Sequence, residues 1–111
     1  MWTKCQIKVL DPERSGVSMS GNDWVRQRCV LAWQELDGQG QPVKDHTNQP
    51  VVSKANFELG KNRIDELKAI GVQVSGWVWA DIRCNTETKT SQKGNAYVTN
   101  ELYVAQFIKV Q

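Results

Sequence analysis

The chain has 111 residues, of which 40% are hydrophobic and 23% charged, and its formal net charge is +2. This balance is typical of one soluble globular domain and argues against a disordered chain. No apolar run approaches the ~20 residues of a membrane-spanning helix, and the stretch Met1–Cys5 has no signal-peptide h-region. We therefore expect a cytoplasmic protein without a membrane partner, in which the placement of single cations, not bulk charge, decides whether nucleic acid binds.

Residues Trp2 to Leu10 alternate between apolar and polar, which predicts a half-buried first strand. One face of this strand carries Cys5, Ile7 and Val9. The opposite face carries Lys4, Gln6 and Lys8. Residues 11–22 are rich in Asp, Pro, Ser, Gly and Asn, and they predict a long mobile connection to the second strand.

The second strand is predicted from about Trp24 to Leu36. Because alternate residues of a strand point to opposite faces, Arg26 and Arg28 project together with Trp24. Trp33 falls on the opposite face with the apolar residues and is assigned to the core. Residues 37–50 contain few apolar side chains and predict a mobile loop insertion.

The third strand is predicted over Val51–Leu59, with Lys54 and Phe57 on opposite faces. A short helix follows over Gly60–Ile70, where apolar residues recur at helical spacing and Gly71 provides the stop. Since Lys54 would lie beside the arginines of the second strand, it is a better cleft residue than Phe57.

The fourth strand is predicted from Val72 to Cys84, with Gly76 marking a bulge or sharp bend. Residues 85–95 read as a polar hairpin loop, and the fifth strand runs from Ala96 to Val110. This order predicts an all-β fold: a five-stranded Greek-key OB-fold barrel with one short helix between strands 3 and 4, filling residues 1–111 as a single domain. An SH3-like barrel is the nearest rival, although a helix of this length is less expected there.

The residue types that carry most enzyme chemistry are sparse. The three cysteines are odd in number and lack CxxC spacing, so they predict buried reduced thiols and no disulfide or zinc site. His46 is the sole histidine and lies in a polar stretch. No nucleophile–base set, metal-ligand cluster or phosphate-binding glycine loop is present, so we expect neither an enzyme nor a cofactor.

Several segments resemble small OB-fold proteins related to single-stranded DNA-binding proteins. The segment Lys8–Trp24 (KVLDPERSGVSMSGNDW) leads into Arg26-Gln27-Arg28-Cys29-Val30. Asn62–Leu67 followed by Gly71–Val74 is similar to that group's step from helix to fourth strand, and Lys93–Leu102 (KGNAYVTNEL) resembles its last hairpin. The resemblance spans nearly the whole chain outside residues 37–50, and it implies an OB fold and a single-stranded DNA ligand.

One departure from that group concerns the C-terminus. Bacterial single-stranded DNA-binding proteins usually carry a disordered tail with an acidic tip, whereas Val104–Gln111 is still strand-like. We therefore expect a compact, tailless protein of the accessory, phage or plasmid type.

Sequence-tolerant binding of a single strand requires cations for the phosphates and aromatic side chains on which bases stack. The candidate nucleic-acid-binding residues are Trp24, Arg26, Arg28, Lys54, Trp77, Trp79, Lys89, Lys93 and Tyr97. The expected function is single-stranded DNA binding in replication, recombination or repair, with RNA as a further ligand. The alternative is an OB-fold protein-interaction module or homodimeric structural subunit that uses Trp77 and Trp79 as an interface; oligosaccharide binding is a weaker third option.

Overall fold

The computed structural model describes residues 1–111 and contains six antiparallel strands and one short helix. The strands are β1 (Trp2–Val9), β2 (Arg14–Val17), β3 (Asp23–Gln34), β4 (Val52–Leu59), β5 (Ser75–Thr90) and β6 (Ala96–Lys109), and helix α1 is Lys61–Ile70. The expected all-β class with one short helix ahead of the last two strands is therefore confirmed. The turn-rich residues 11–22 do not form only a mobile connection, because they include β2, which pairs with the start of β3.

Strand β3 is the centre of the sheet because it pairs with three other strands. One of its edges is covered by β4, from Gln27 to Gln34. Along its other edge, β2 pairs with Asp23–Arg26 and β1 pairs with Cys29–Ala32. The second edge of β1 pairs with β5, and β5 pairs with β6.

The sheet is not closed into the expected five-stranded barrel. No ladder joins β4 to β6, and α1 contacts both of these strands at the opening. The backbone N–H of Phe107 in β6 donates to Glu66 Oε1 of the helix at 2.9 Å instead of to a neighbouring strand. A buried N–H without a partner is costly. The Glu66 carboxylate therefore accepts the hydrogen bond that a β4 carbonyl would accept if β4 and β6 were paired.

The core lies on one face of the sheet and under α1, and it follows the period-two pattern of the strands. Ile7, Leu31 and Val78 are fully buried, and the helix contributes Ile64 and Leu67. The helix ends where expected, since Gly71 adopts φ 95° and donates its N–H to the carbonyls of Leu67 and Lys68.

Two of the three cysteines belong to this core. Burial raises the pKa of Cys5 to about 11 and that of Cys29 to about 12, so both thiols stay protonated at neutral pH. The expectation of a buried thiol is wrong for Cys84, which is exposed. Cys84 lies on β5 beyond the buried Ile82, where the strand has left the core.

Four turns in the chain share one geometry. In each, the first residue donates its N–H to the carbonyl of the fifth, the fourth residue has positive φ, and a side-chain oxygen of the first accepts the N–H of the fifth. The turns are Ser18–Asn22, Asp37–Gln41, Asp45–Gln49 and Ser91–Asn95. The common pattern is Ser or Asp first, Gly or Asn fourth and Asn or Gln fifth, as expected for a type I turn followed by a left-handed residue.

Residues 37–50, the expected loop insertion, form two hydrogen-bonded turns. The segments Asp37–Pro42 and Asp45–Pro50 are two copies of one pattern, Asp-x-x-(Gly/Asn)-Gln-Pro, eight residues apart. The backbones of Glu35, Val43 and Val51 close a circuit in which each N–H donates to the carbonyl of another at 2.9 Å. A search for hydrophobic periodicity does not detect this repeat, because the residues that recur in it are turn-forming and not apolar.

Residues 85–95 are also mostly strand and not a polar loop. β5 continues to Thr90 and pairs with β6 from Ala96 onward, so only the turn Ser91–Asn95 connects the two strands. Gly76 pairs regularly with Ile7, and the irregularity expected there lies instead between Asp81 and Ile82. The radius of gyration is 16.9 Å, against about 13 Å for a compact domain of this length, because the hairpins extend beyond the core.

Candidate nucleic-acid interface

We use the name outer face for the side of the sheet opposite the core. On β1 this face carries Lys4, Gln6 and Lys8, because Cys5 and Ile7 point into the core. Lys4 pairs with Trp79 of β5, and Gln6 pairs with Trp77 of β5 and with Ala32 of β3. Side chains of directly paired residues lie on the same side of a sheet, so lysine, amide and indole groups meet in one row across three strands.

A cleft of about 490 Å³, the tryptophan cleft, opens on this row. Its aromatic walls are Trp2, Trp33, Trp77 and Trp79. It lies beyond Gln6, where the ladder between β1 and β3 ends and the start of β1 remains paired only with β5. Trp33, assigned to the core from its strand face, both packs against the core and lines this cleft.

The indoles of the tryptophan cleft are accessible to a ligand. Trp77 is 54% exposed and Trp79 is 37% exposed. The ammonium of Lys4 lies 5.5 Å from the centroid of the Trp77 ring, within the range of a cation–π contact. A cation that could hold a phosphate therefore stands beside a ring on which a base could stack.

A second cleft, of about 650 Å³, continues the row, and we call it the lysine cleft. Lys8 of β1 and Lys54 of β4 line it, together with Asn56 and Ser75. The two clefts share Gln6 and Ala32, so they form one continuous outer groove. Neither cleft is lined by a carboxylate, although the chain has 12 acidic residues. The groove therefore presents an uncompensated positive potential.

The arginines of β3 lie on the same face near β2, where carboxylates are close. Arg28 Nε donates to Asp11 Oδ2 at 2.6 Å, and the backbone N–H of Arg28 donates to Asp11 Oδ1 at 3.1 Å. These contacts, with the Arg28 side chain contributing most, hold the pKa of Asp11 below its usual value. Arg26 has no ion pair, and its Nη1 donates to the carbonyl of Val25 at 2.8 Å.

Two further ion pairs join the same region, which we call the acid-paired end. Arg14 Nη2 lies 3.2 Å from Glu58 Oε1, and Lys68 Nζ lies 2.6 Å from Glu13 Oε1. Hydrogen bonding to Glu13 raises the pKa of Lys68. Arg14, Arg28 and Lys68 therefore already have anionic partners within the protein, and Arg26 is the one basic side chain of this end that does not.

Trp24 also lies at the acid-paired end, and it is half-buried. Its indole rests on the backbone of Gly16 in β2, where an added Cβ would come within 2.6 Å of the ring. Glycine at position 16 is therefore what permits this close approach. One face of the Trp24 ring is therefore covered by the backbone of β2, whereas Trp77 and Trp79 of the tryptophan cleft are exposed.

The remaining candidates lie on the two-stranded ribbon formed by β5 and β6 beyond the core. Lys89 pairs with Tyr97, and both are exposed. Lys89 Nζ is 3.8 Å from Glu87 Oε2, while Lys93 is exposed in the turn Ser91–Asn95. The structure therefore distributes the predicted residues over three places, the outer groove, the acid-paired end and the ribbon.

Asp81 is the one charged side chain among the buried residues. Its Oδ1 accepts from the amino group of Met1 at 2.9 Å, and its Oδ2 accepts from Arg83 Nε at 3.0 Å. The Met1 ammonium first, and then Arg83, hold the pKa of this carboxyl below its usual value. Asp81 is thus occupied in joining the start of β1 to β5.

Sequence reasoning missed the β1 side of the groove. Lys4, Gln6 and Lys8 were grouped on the polar face of the first strand but were not assigned to the interface, and Trp2 was passed over. The alternation did show that the three polar residues share a face. The alternation does not show which strand lies beside β1, because the pairing of β1 with β5 joins residues about 75 positions apart.

Comparison with protein-family models, with curated proteins and with solved structures gives no match to this chain. The helix of the structure is too short and too polar to cross a membrane. No group of three or more His, Cys, Asp or Glu side chains is arranged to hold a metal ion.

Proposed function

We propose that this protein binds single-stranded nucleic acid, with single-stranded DNA as its main ligand, along the outer groove. The observation that carries the proposal is the groove's composition: four tryptophans and three lysines line it, and no carboxylate does. Lys4, Lys8 and Lys54 have no ion-pair partner in the protein, so their ammonium groups are available to phosphates. Replication, recombination and repair are the processes that expose such a ligand.

The proposed binding mode divides the work between the two clefts. Trp77 and Trp79 stack bases in the tryptophan cleft, which is sequence-tolerant because every base has a π-face. Lys8 and Lys54 hold the backbone in the lysine cleft. Lys89 and Tyr97 on the ribbon extend the surface on the same side of the sheet. Lys89 is an even number of residues from Trp77 along β5 and so lies on the same face, and Tyr97 is the residue paired with Lys89.

We infer that the architecture is an OB-type barrel that is open between its third and fifth strands. In this scheme β1 and β2 together act as the first OB strand, because they follow one another along the same edge of β3. Strands β3, β4, β5 and β6 supply the remaining four, and α1 stands between the third and the fourth. OB folds bind oligonucleotides across the second and third strands, which are β3 and β4 here.

The test is a titration of the protein with oligo-dT, oligo-U and duplex DNA, followed by tryptophan fluorescence and gel shift. We expect oligo-dT to quench the fluorescence and to bind more tightly than the duplex. Neutralisation of three phosphates gives a plot of log K against log salt concentration with a slope of about −2. Unchanged fluorescence and no shift with either single strand at low salt would show that the proposal is wrong.

A second function, a protein-interaction module, is favoured by one observation. The outer groove also exposes Leu36 and Val52 beside Trp2 and Trp77, and contiguous exposed apolar surface marks protein interfaces as well as ligand grooves. The same titration separates the two functions, because a protein interface of this kind would leave oligo-dT unbound at every salt concentration.

A further inference from the structure

The ribbon formed by β5 and β6 has two chemically different faces. Beyond the buried pair Ile82 and Val104, the strands continue with no third strand beside them as far as Thr90 and Ala96. On the charged face lie Arg83, Glu87, Lys89 and Glu101. On the neutral face lie Cys84, Thr86, Thr88, Val98, Asn100 and Leu102, and none of these is ionisable at neutral pH apart from the thiol.

The neutral face is a direct continuation of the core. Ile82 and Val104 are paired and buried, and the next pair on the same face is Cys84 with Leu102. Further out, Thr86 Oγ1 donates to Asn100 Oδ1 at 2.9 Å, so the polar groups in the middle of the face satisfy one another. Val98 is 60% exposed and Leu102 is 47% exposed, although both point to the side on which the core lies.

We propose that the neutral face is the surface through which two copies of this chain associate about a two-fold axis. A two-stranded hairpin is at best marginally stable in water on its own, and covering one face against another layer stabilises it. A two-fold axis sets the patch against a second copy of itself, so a patch with a net charge would meet a surface of the same net charge. The neutral face avoids this repulsion because the charges are all on the opposite side of the ribbon.

The same chemistry argues for a second copy over nucleic acid on this face. A phosphate backbone requires cations, and the neutral face has none. An antiparallel arrangement of two ribbons brings Leu102, at the base of one, near Val98, toward the tip of the other, so that the aliphatic side chains cover each other. The outer groove lies on the other side of the sheet and stays open in both copies, so this association does not depend on the proposed function.

The area of the neutral face limits how tightly the two copies are expected to associate. At ~3.3 Å per residue each ribbon strand beyond Ile82 spans roughly 25 Å, and two strands ~4.8 Å apart make the face about 10 Å wide. Its area of roughly 250 Å² is small beside a standard interface of about 800 Å² per partner. We therefore expect a dimer that dissociates on dilution and not an obligate one.

The test is sedimentation of the full chain over a dilution series without nucleic acid. In each of two matched variants, lysine replaces an exposed uncharged residue of β5. Thr88→Lys changes the neutral face, and Asn85→Lys changes the charged face. We expect Thr88→Lys to weaken the dimer at least roughly tenfold, and Asn85→Lys to change it by less than about twofold. Val98→Lys, which also removes an aliphatic contact, weakens it further.

Cys84 supplies an independent readout, because it is the exposed cysteine and lies on the neutral face. We expect a thiol reagent to modify Cys84 more slowly in the concentrated wild-type protein than in Thr88→Lys. A wild-type protein that is monomeric throughout the series overturns the proposal. So does a dimer that tolerates Thr88→Lys, or one that Asn85→Lys disrupts to the same extent. Thermal unfolding of each variant verifies that the fold is retained.

Discussion

The outer groove and the arginines of the acid-paired end lie on the same face of the sheet, yet the groove lysines are unpaired and, apart from Arg26, these arginines are paired. In the groove, Lys4, Lys8 and Lys54 have no carboxylate partner. At the acid-paired end, Arg28 is held by Asp11, and Arg14 faces Glu58. A cation that already has a partner must give it up before it binds phosphate, so the location of a basic residue matters less than whether its charge is compensated.

The aromatic residues differ in the same way between the two regions. Trp77 and Trp79 expose their rings above the groove, whereas Trp24 lies against Gly16. A ring that is already packed against the backbone has less surface to offer a base. The comparison thus predicts that substitutions in the groove reduce binding strongly, and that equivalent substitutions at the acid-paired end do so weakly.

The largest expected effect is the loss of the groove tryptophans. Replacing Trp77 and Trp79 by alanine removes two stacking platforms, each worth ~1–3 kcal/mol per base, so the affinity for oligo-dT is expected to fall by at least roughly 30-fold. Both side chains are exposed, and the fold should survive the change. The measurement is a gel-shift titration, because it does not depend on tryptophan fluorescence.

The matched control for this pair is Trp24→Ala at the acid-paired end, which should reduce affinity by less than about threefold while lowering the melting temperature, because the half-buried indole packs on β2. An equal loss of affinity in Trp24→Ala would show that the two regions bind alike.

An intermediate effect is expected from single cations. Lys54→Gln removes an unpaired charge from the lysine cleft, so affinity at low salt should fall by about three- to tenfold and the salt slope should decrease by about 0.7. Arg28→Gln removes a charge that Asp11 already compensates, and it should change affinity by less than about twofold. Titration at two salt concentrations measures both quantities, and a reversed order of the two variants would contradict the proposed path of the strand.

A small effect in the opposite direction, a gain of affinity, is expected when the partner of Arg28 is removed. Asp11→Asn keeps an oxygen for the backbone N–H of Arg28 but loses the charge, so the guanidinium becomes available and affinity should rise by about two- to threefold. An unchanged affinity would place the acid-paired end outside the path of the strand.

The ion pair between Asp11 and Arg28 should also affect the thermal stability of the protein. The pKa of Asp11 is lowered in the folded protein, so the pair stabilises the fold fully above the ordinary carboxyl pKa of about 3.9, and this contribution disappears as the pH falls through the lower folded value. The melting temperatures of wild type and Asp11→Asn should therefore differ at neutral pH and converge in strong acid. A constant difference across this range would show that the pair does not act through its charge.

The sequence predicted the long strands and the helix well, because each carries a hydrophobic signal of its own. Alternation over Trp2–Leu10 and spacing in the helix both reflect a buried face, which the structure confirms through Ile7 and Ile64. The end of β5 was missed because Asn85–Thr90 has no buried face and thus no apolar residue to mark it. A weaker signal was present, since threonines alternate at positions 86, 88 and 90, and β-branched residues favour strands.

The site was predicted less completely, for a different physical reason. Arg26 and Arg28 were correctly placed together on one face, but the neutralisation of Arg28 by Asp11 is a contact between separate segments. Likewise, the meeting of Lys4 with Trp79 depends on which strands become neighbours. Period-two alternation fixes the face of a side chain within its own strand, and it contains no information about what the neighbouring strand brings.

The arm between β3 and β4 has a consequence for how this chain can change in length. Its single backbone circuit joins Glu35, Val43 and Val51, which are eight residues apart, and each of the two intervals contains a self-contained turn. Each interval begins and ends at this closed circuit, so a change in the length of one turn is confined to the arm and leaves the pairing of Gln34 with Val52 in place. The arm can therefore differ in size while the groove beside it keeps its shape.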